Sequence, residues 1–163
     1  VDIVVGCVAS CCAEYTCRQK CIKMTRFSQG VYTPKNPKKY AGKGRIKYRS
    51  SWELKFCDFC DNNQHILEWA SESIRIPYRH PLTGKKTHYV PDFLVVYGDK
   101  FGKTRVELIE IKPDRQTKLV EGMNQRERAV VAVNTAKWEA AQHWAKQQGI
   151  VFRIITEKDM FRK

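Results

Sequence analysis

Long apolar runs are missing from this sequence, and their absence bears on where the protein resides. The apolar opening from Ile3 to Ala13 is too short to span a bilayer, which takes about 20 residues. It also lacks the basic start of a signal peptide. We therefore expect no membrane association and predict an intracellular protein in a reducing compartment.

Cysteine is scarce after residue 21 of the sequence. Five of the seven cysteines lie within the first 21 residues, and their spacings match neither a paired CxxC zinc ribbon nor a secreted disulfide scaffold. Cys57 and Cys60 have CxxC spacing, but on a predicted helix with an aromatic stripe we expect both to be small core residues. Residues 1–23 differ in composition from the rest of the chain. An upstream in-frame extension with Met24 as the natural start is our preferred explanation, and a small metal-binding or membrane-surface tail is the alternative.

Acidic residues are absent from positions 24 to 51, a segment that carries eight Lys or Arg residues. The whole chain has a formal net charge of +13 and a pI of about 9.5, so it should attract polyanions such as DNA. Interleaved aromatic residues, prolines and glycines argue against regular structure, and we predict a flexible basic arm over residues 24–47. Such an arm can follow a phosphate backbone while its tyrosines contact sugars or bases, although a solubilising leader has the same composition. The candidate DNA contacts are Lys35, Lys38, Lys39, Lys43, Arg45, Lys47 and Arg49.

Two predicted strands end in residues that carry chemistry. In the second strand, from Val106 to Lys112, the alternation of side chains puts Glu110 and Lys112 on one face, roughly 6–7 Å apart. The first strand runs from Tyr89 to Tyr97 and sends Asp92 to the same side as Leu94 and Val96. A hairpin turn from Gly98 to Lys103 joins the two strands. A carboxylate on an otherwise apolar face needs a cation or hydrogen bonds to compensate it.

These residue types suit metal-assisted phosphodiester hydrolysis. Carboxylate oxygens are the ligands that Mg²⁺ and Mn²⁺ prefer, and both ions keep several waters and bind phosphate oxygens. A bound metal lowers the pKa of its water, and Lys112 beside it would orient or help deprotonate that water or stabilise the transition state. The structural alternative is that Glu110 and Lys112 form a solvated pair and Asp92 is a turn residue. The ordered set of motifs favours the nuclease interpretation.

A third acid, Glu53, has two possible roles. The stretch from Tyr48 to Cys60 has helical spacing, with an apolar stripe of Trp52, Phe56 and Phe59 or Cys60. Ser50 at the N-cap with Glu53 three residues on is a capping-box pattern, which would engage the carboxylate with a backbone N–H. The residues alone leave the cap and the metal-ligand interpretations open.

The remaining elements predict an α/β fold. An early strand from Ser73 to His80 is joined to Tyr89 by a hairpin through Thr83 to Lys85, which gives three strands in a meander after the first helix. Residues 124–148 are predicted helical, either continuous or in two pieces with the second starting at Asn134 or Thr135, and Gly149 stops the helix. A strand over residues 150–155 then implies a parallel crossover. The predicted buried stripe of the late helix is Val130, Val133, Trp138, Ala141, Trp144 and Ala145.

The order of these pieces resembles a known superfamily. The run Tyr48 to Glu53, the stretch Ile76 to Phe93, the Glu110-Ile111-Lys112-Pro113 motif and the later Lys137 to Ala141 together resemble the PD-(D/E)xK, or restriction-endonuclease-like, nucleases. Within them the sequence is most similar to the group that holds the TnsA N-terminal domain and the head completion nuclease of T-even-like phages. The similarity runs from about Tyr32 to the C-terminus.

The resemblance implies a fold, a chemistry and a set of roles. The fold would be a restriction-endonuclease-like mixed β-sheet flanked by helices, with the nuclease domain at residues 48–163. Glu53, Asp92 and Glu110 would ligate Mg²⁺, for which Mn²⁺ can substitute, and Lys112 would be catalytic. Gln116 is a lower-ranked candidate for contacting water or DNA near the metal.

The resemblance also implies partners and a setting. The substrate would be DNA, the further partners phage head or portal proteins, and the location the infected host's cytoplasm or the virion. A transposase-type endonuclease subunit is disfavoured because no room remains for its second, partner-binding domain. A non-catalytic DNA-binding virion protein is the alternative from another class, although no acid or lysine of the motif is lost.

Overall fold

The computed structural model describes residues 29–160, which form eight strands, three α-helices and two short 3₁₀ helices. No α-helix in this range has both the length and the apolar composition to cross a membrane. The predictions for residues 1–23 and for Met24 as the natural start lie outside the described residues, as does the part of the predicted basic arm over residues 24–28. The strands are β1 Gly30–Tyr32, β2 Ile46–Tyr48, β3 Ile66–Ser71, β4 Ile76–Arg79, β5 Lys86–Tyr89, β6 Phe93–Gly98, β7 Thr104–Ile111 and β8 Val151–Ile155. The α-helices are α1 Ser51–Asn62, α2 Gln125–Gln147 and α3 Glu157–Met160, and the 3₁₀ helices are Pro37–Lys39 and Asp114–Gln116.

The central sheet has the strand order β3-β6-β7-β8. β6 and β7 pair antiparallel through the predicted hairpin, whose turn is closed by Asp99 accepting from the backbone N–H groups of Phe101 and Lys103. β7 and β8 pair parallel, as the strand–helix–strand order predicted. Helices lie on both faces of this mixed sheet, which confirms the predicted fold class.

β7 presents its two faces to two hydrophobic clusters, as its alternating pattern predicted. Ile109 and Ile111 pack in the cluster that includes Phe56, Cys57 and Cys60 of α1. Leu108 packs on the other face, in a cluster that includes Trp138 and Ala141 of α2. Both cysteines of α1 are fully buried, and burial raises the pKa of the Cys57 thiol to about 12. They are core residues, as the sequence predicted.

α2 is one continuous helix rather than two pieces. Asn124 caps it in a capping box with Glu127, and Gly149 follows it with a φ of +68°, a conformation that glycine adopts readily. The helix continues through Asn134, which does not start a second segment. The buried side chain of Asn134 donates from Nδ2 to the carbonyl oxygen of Gln116 at 3.3 Å. The predicted buried stripe was wrong at Val130, which is 41% exposed, whereas Val131 is buried.

The predicted three-strand meander is also wrong. β4 and β5 form a separate two-stranded sheet, and the strand next to β6 is β3, which the sequence interpretation missed. The single strand expected from Tyr89 to Tyr97 breaks between β5 and β6. Pro91 lies in this break, where a residue without an N–H cannot take part in a strand ladder.

Residues 30–48 fold onto the domain, so the predicted absence of regular structure is wrong for this stretch. β1 and β2 pair antiparallel, and the ring of Tyr40 packs edge-on at 4.9 Å between centroids against Trp69. The buried Asp61 accepts hydrogen bonds from the Tyr32 hydroxyl and from the backbone N–H groups of Lys35 and Asn36. Tyr32 and Tyr40 are therefore packing residues and do not serve as free platforms for bases.

Candidate active site

Glu110 and Lys112 meet at the end of β7. The Lys112 Nζ lies 3.0 Å from Oε1 of Glu110, whose side chain is buried. Glu110 Oε2 accepts a hydrogen bond of 2.6 Å from the Tyr89 hydroxyl. Burial alone would lower the pKa of Lys112, but the carboxylates of Glu110 and Asp92 outweigh it and raise that pKa above its ordinary value. The predicted shared face of Glu110 and Lys112 is thus confirmed by a direct ion pair.

Asp92 lies beside this pair, in the break between β5 and β6. Its Oδ2 accepts a hydrogen bond of 2.8 Å from the backbone N–H of Ile111, which ties the break to the end of β7. Loss of hydration raises the pKa of Asp92 well above its usual range, and repulsion from Glu110 adds to the shift. Lys112 and the Ile111 N–H oppose this rise without cancelling it. Two carboxylates and one ammonium therefore share a small, poorly hydrated volume.

Glu53 occupies the first turn of α1 and makes the contacts of a helix cap. Ser50 Oγ accepts from the Glu53 N–H at 3.1 Å and donates to its Oε1 at 2.9 Å, while Oε2 accepts from the backbone N–H of Arg49 at 2.9 Å. The pattern differs from a standard capping box because the returning backbone donor is Arg49 rather than Ser50. Glu53 nevertheless contributes to the raised pKa of Asp92, so its charge acts on the same site.

A cavity of about 260 Å³ opens between the start of α1 and the segment after β7. Glu53 and Lys112 both line it, and so does Gln116, the lower-ranked candidate. Arg115 is a further lining residue that the sequence interpretation missed. It is exposed and lies in the 3₁₀ helix Asp114–Gln116, three residues after Lys112, and this closeness in the sequence was the signal that could have identified it. The lining residues are Arg49, Ser50, Trp52, Glu53, Ile111, Lys112, Pro113, Arg115 and Gln116.

The donor set of the site suits a hard divalent cation. Among residues 29–160 no group of three His, Cys, Asp or Glu side chains is arranged to hold a metal by itself. Mg²⁺ does not require such a cage, because it is commonly bound by one or two carboxylates and completes its shell with water and substrate phosphate. A cation would also relieve the mutual repulsion that raises the pKa of Asp92 next to Glu110. Asp92 and Glu110 therefore fit Mg²⁺ or Mn²⁺ chemically.

The predicted DNA contacts lie between Lys35 and Arg49, mostly outside the strands, and Arg49 is the one that lines the cavity. Its guanidinium pairs with the carboxylate of Glu72. Two of the lysines have local partners: Lys35 pairs with Asp58 at 3.2 Å, and Lys39 Nζ donates to the carbonyl oxygen of Asn63 at 2.8 Å. The other candidates are exposed, namely Lys38, Lys43, Arg45 and Lys47.

Comparison with known proteins identifies the family of this chain. The model of the TnsA-like endonuclease N-terminal family matches residues 63–157, a range that includes Asp92, Glu110 and Lys112. The chain belongs to this family, and it is a nuclease. Among curated proteins it is similar to the head completion nuclease of Enterobacteria phage T4, with 39% identity over 139 residues that cover 78% of this chain and 90% of that protein. The resemblance predicted from the sequence is confirmed.

Proposed function

We propose that this nuclease hydrolyses DNA phosphodiester bonds with Mg²⁺, at a site made by Asp92, Glu110, Glu53 and Lys112. The observation that carries the proposal is the convergence of Asp92 and Glu110, two poorly hydrated carboxylates, beside the ammonium of Lys112. A purely structural role would not require two adjacent acids, because the charge of Glu110 disfavours the ionised form of Asp92.

Asp92 and Glu110 are the proposed metal-binding residues, and Mn²⁺ should substitute for Mg²⁺ because it prefers the same oxygen ligands. When bound, the ion would supply positive charge to the phosphate and lower the pKa of a water molecule. The Ile111 N–H holds one oxygen of Asp92, and the Tyr89 hydroxyl holds one oxygen of Glu110. These hydrogen bonds fix the orientation of both carboxylates before the substrate binds. Less conformational entropy is then lost when the site is assembled around the metal and the phosphate.

Lys112 supplies a fixed positive charge next to the reacting phosphate. Its ammonium is held by Glu110 on one side and borders the cavity on the other. A cation in this position stabilises negative charge that develops on the phosphoryl oxygens, and it orients the attacking water. Electrostatic stabilisation is the role that its ion pair supports best.

Glu53 is proposed as a third metal-binding residue. Its carboxylate lines the same cavity as Lys112, and the contacts with Ser50 and the Arg49 N–H hold it in place. Capping and metal binding are compatible, because each carboxylate oxygen has more than one lone-pair site.

DNA is the proposed polyanionic partner. The exposed cations Lys38, Lys43, Arg45 and Lys47 and the cavity residue Arg49 would contact phosphates, and Gln116 would contact water or DNA near the metal. Such contacts position the backbone without reading the sequence.

The biological role we propose is that of a phage head completion nuclease, which acts on packaged DNA during head–tail joining. The support is the 39% identity with a relative of that name over nearly all of the relative's length. Phage head or portal proteins would then be partners, and the protein would work in the infected host's cytoplasm or in the virion.

The experiment that tests the proposal is incubation of the purified protein with linear and circular DNA, with Mg²⁺, with Mn²⁺ and with chelator. We expect cleavage with either metal and none with chelator. A wild-type protein that binds DNA but never cuts it with either metal would contradict the proposal and favour the non-catalytic DNA-binding alternative.

A further inference from the structure

Tyr89 is joined directly to Glu110, although the sequence motifs give it no role in the site and it does not line the cavity. Its hydroxyl donates to Glu110 Oε2 at 2.6 Å, and both residues are buried. Lys112 Nζ contacts the other oxygen at 3.0 Å, so the two oxygens of this carboxylate have different partners. Rotation of the carboxylate would break both contacts in a volume with little access to water, where a lost hydrogen bond is costly.

The ring of Tyr89 is itself held in place. It packs with Leu108 of β7 and Trp138 of α2 in one hydrophobic cluster, and the Lys137 ammonium lies over the ring at 5.8 Å from its centroid. The hydroxyl is therefore positioned by the packing of β5 against α2. A hydrogen bond from a rigid donor restricts its acceptor to a narrow range of orientations.

We propose that Tyr89 is a positioning residue for metal binding, which holds Glu110 in the orientation that the cation requires. The inference rests on the proposed role of Glu110 as a metal ligand. Residues that hydrogen-bond to metal-ligating groups fix the geometry of those groups, and their loss typically costs about 10- to 100-fold in metal affinity or activity.

Tyr97 and Glu107 form a matched control pair, and Glu107 lies on the face of β7 opposite to Glu110. Tyr97 donates to Glu107 at 2.7 Å, in another buried tyrosine–glutamate pair, and Glu107 also accepts from Arg153 at 2.9 Å. Glu107 packs away from the face that carries Glu110. Tyr97→Phe therefore removes a similar buried hydrogen bond without touching the proposed site.

The test measures Mn²⁺ and Mg²⁺ binding to the full chain by calorimetry, without DNA. Tyr89→Phe should bind both ions about 10- to 100-fold more weakly than wild type, whereas Tyr97→Phe should match wild type. Thermal melts in chelator should show similar losses for the two variants, which separates metal affinity from general stability. Cleavage by Tyr89→Phe should recover as the metal concentration is raised.

A double variant completes the test. Because Tyr89 acts through Glu110, Tyr89→Phe should cause no further loss of metal affinity in a Glu110→Gln background. Wild-type metal affinity in Tyr89→Phe, or an equal loss in Tyr97→Phe, would overturn the inference while leaving a metal-dependent wild-type nuclease intact. A wild type that binds no metal and cuts no DNA would instead remove the proposed function, and this inference with it.

Discussion

Lys112 Nζ lies 3.0 Å from Oε1 of Glu110, so the proposed catalytic cation and a proposed metal ligand are in direct contact. In this poorly hydrated volume the positive charge of Lys112 and the negative charge of Glu110 compensate each other. A change at either position therefore affects both catalysis and stability, and these two effects must be measured separately.

Lys112→Ala should lower the cleavage rate at saturating Mg²⁺ by about 10²- to 10³-fold, because charge stabilisation in the transition state is lost. Metal binding should persist, since both carboxylates remain. Single-turnover cleavage and a metal titration measure the two quantities. Lys118→Ala is the control, because Lys118 is exposed, pairs with Asp114 and does not line the cavity. A near-wild-type rate in Lys112→Ala would place the essential cation elsewhere.

Asp92→Ala and Glu110→Ala should each abolish Mg²⁺-dependent cleavage, because each removes a proposed metal ligand. Both variants should bind DNA as tightly as wild type or more tightly, since a carboxylate that repels phosphate is gone. Cleavage assays and DNA binding in chelator give the two readouts. Cleavage at the wild-type rate in both variants would rule out this site.

Asp92→Asn should stabilise the metal-free protein at neutral pH. The folded-state pKa of Asp92 is raised, so between the unfolded and folded pKa values the folded state binds more protons, and stability falls as pH rises. Asparagine removes this dependence and keeps an oxygen for the Ile111 N–H. We expect a higher Tm than wild type at pH 7, and the difference should vanish below about pH 4, where the carboxyl group is protonated in the unfolded chain as well. Melting curves in chelator across this pH range measure it, and a variant less stable than wild type at pH 7 would contradict it.

Glu53→Gln should reduce cleavage strongly while the protein stays folded, because Gln retains an acceptor for the Arg49 N–H but is a poor Mg²⁺ ligand. Cleavage and thermal melts are the measurements. Glu127→Gln is the matched control, since Glu127 occupies the same position in the capping box of α2. Wild-type turnover in Glu53→Gln would show that this residue serves as a cap alone.

DNA affinity should fall steeply with salt, and the exposed lysines between residues 35 and 47 should contribute to that slope. Deletion of residues 24–47 is a poor test, because it would remove Tyr32 and Tyr40 from their packing on Trp69. The double change Lys43→Gln and Lys47→Gln should instead reduce the slope of log K against log salt by about 2. Lys100→Gln with Lys103→Gln is the control, at the opposite end of β7 from Lys112. Equal slopes in the two double variants would exclude specific phosphate contact by the N-terminal pair.

The sequence predicted the relative placement of Asp92, Glu110 and Lys112 better than the sheet around them. Glu110 and Lys112 follow from strand alternation alone, because a period of two residues fixes which side chains share a face. Asp92 was correctly grouped with them, but its position in a break rather than within a strand depends on Pro91 and on the Ile111 N–H, which is remote in sequence.

The missed features depend on contacts between distant residues. Residues 30–48 look irregular in composition, yet Asp61 and Trp69 provide partners that order them. β3 was missed because its pairing with β6 is set by tertiary packing rather than by a local signal. Tyr89 reaches the site through the folding of β5, and no spacing rule in the sequence identifies it.

The backbone N–H of Lys112 donates to the carbonyl oxygen of Ile155 at 3.0 Å, so β8 holds the residue that follows β7. During synthesis on the ribosome, Asp92, Glu110 and Lys112 emerge long before this partner exists. The nascent chain therefore carries every proposed catalytic residue while lacking the strand that holds Lys112 in register. Cutting activity should begin only after β8 has emerged and paired with β7.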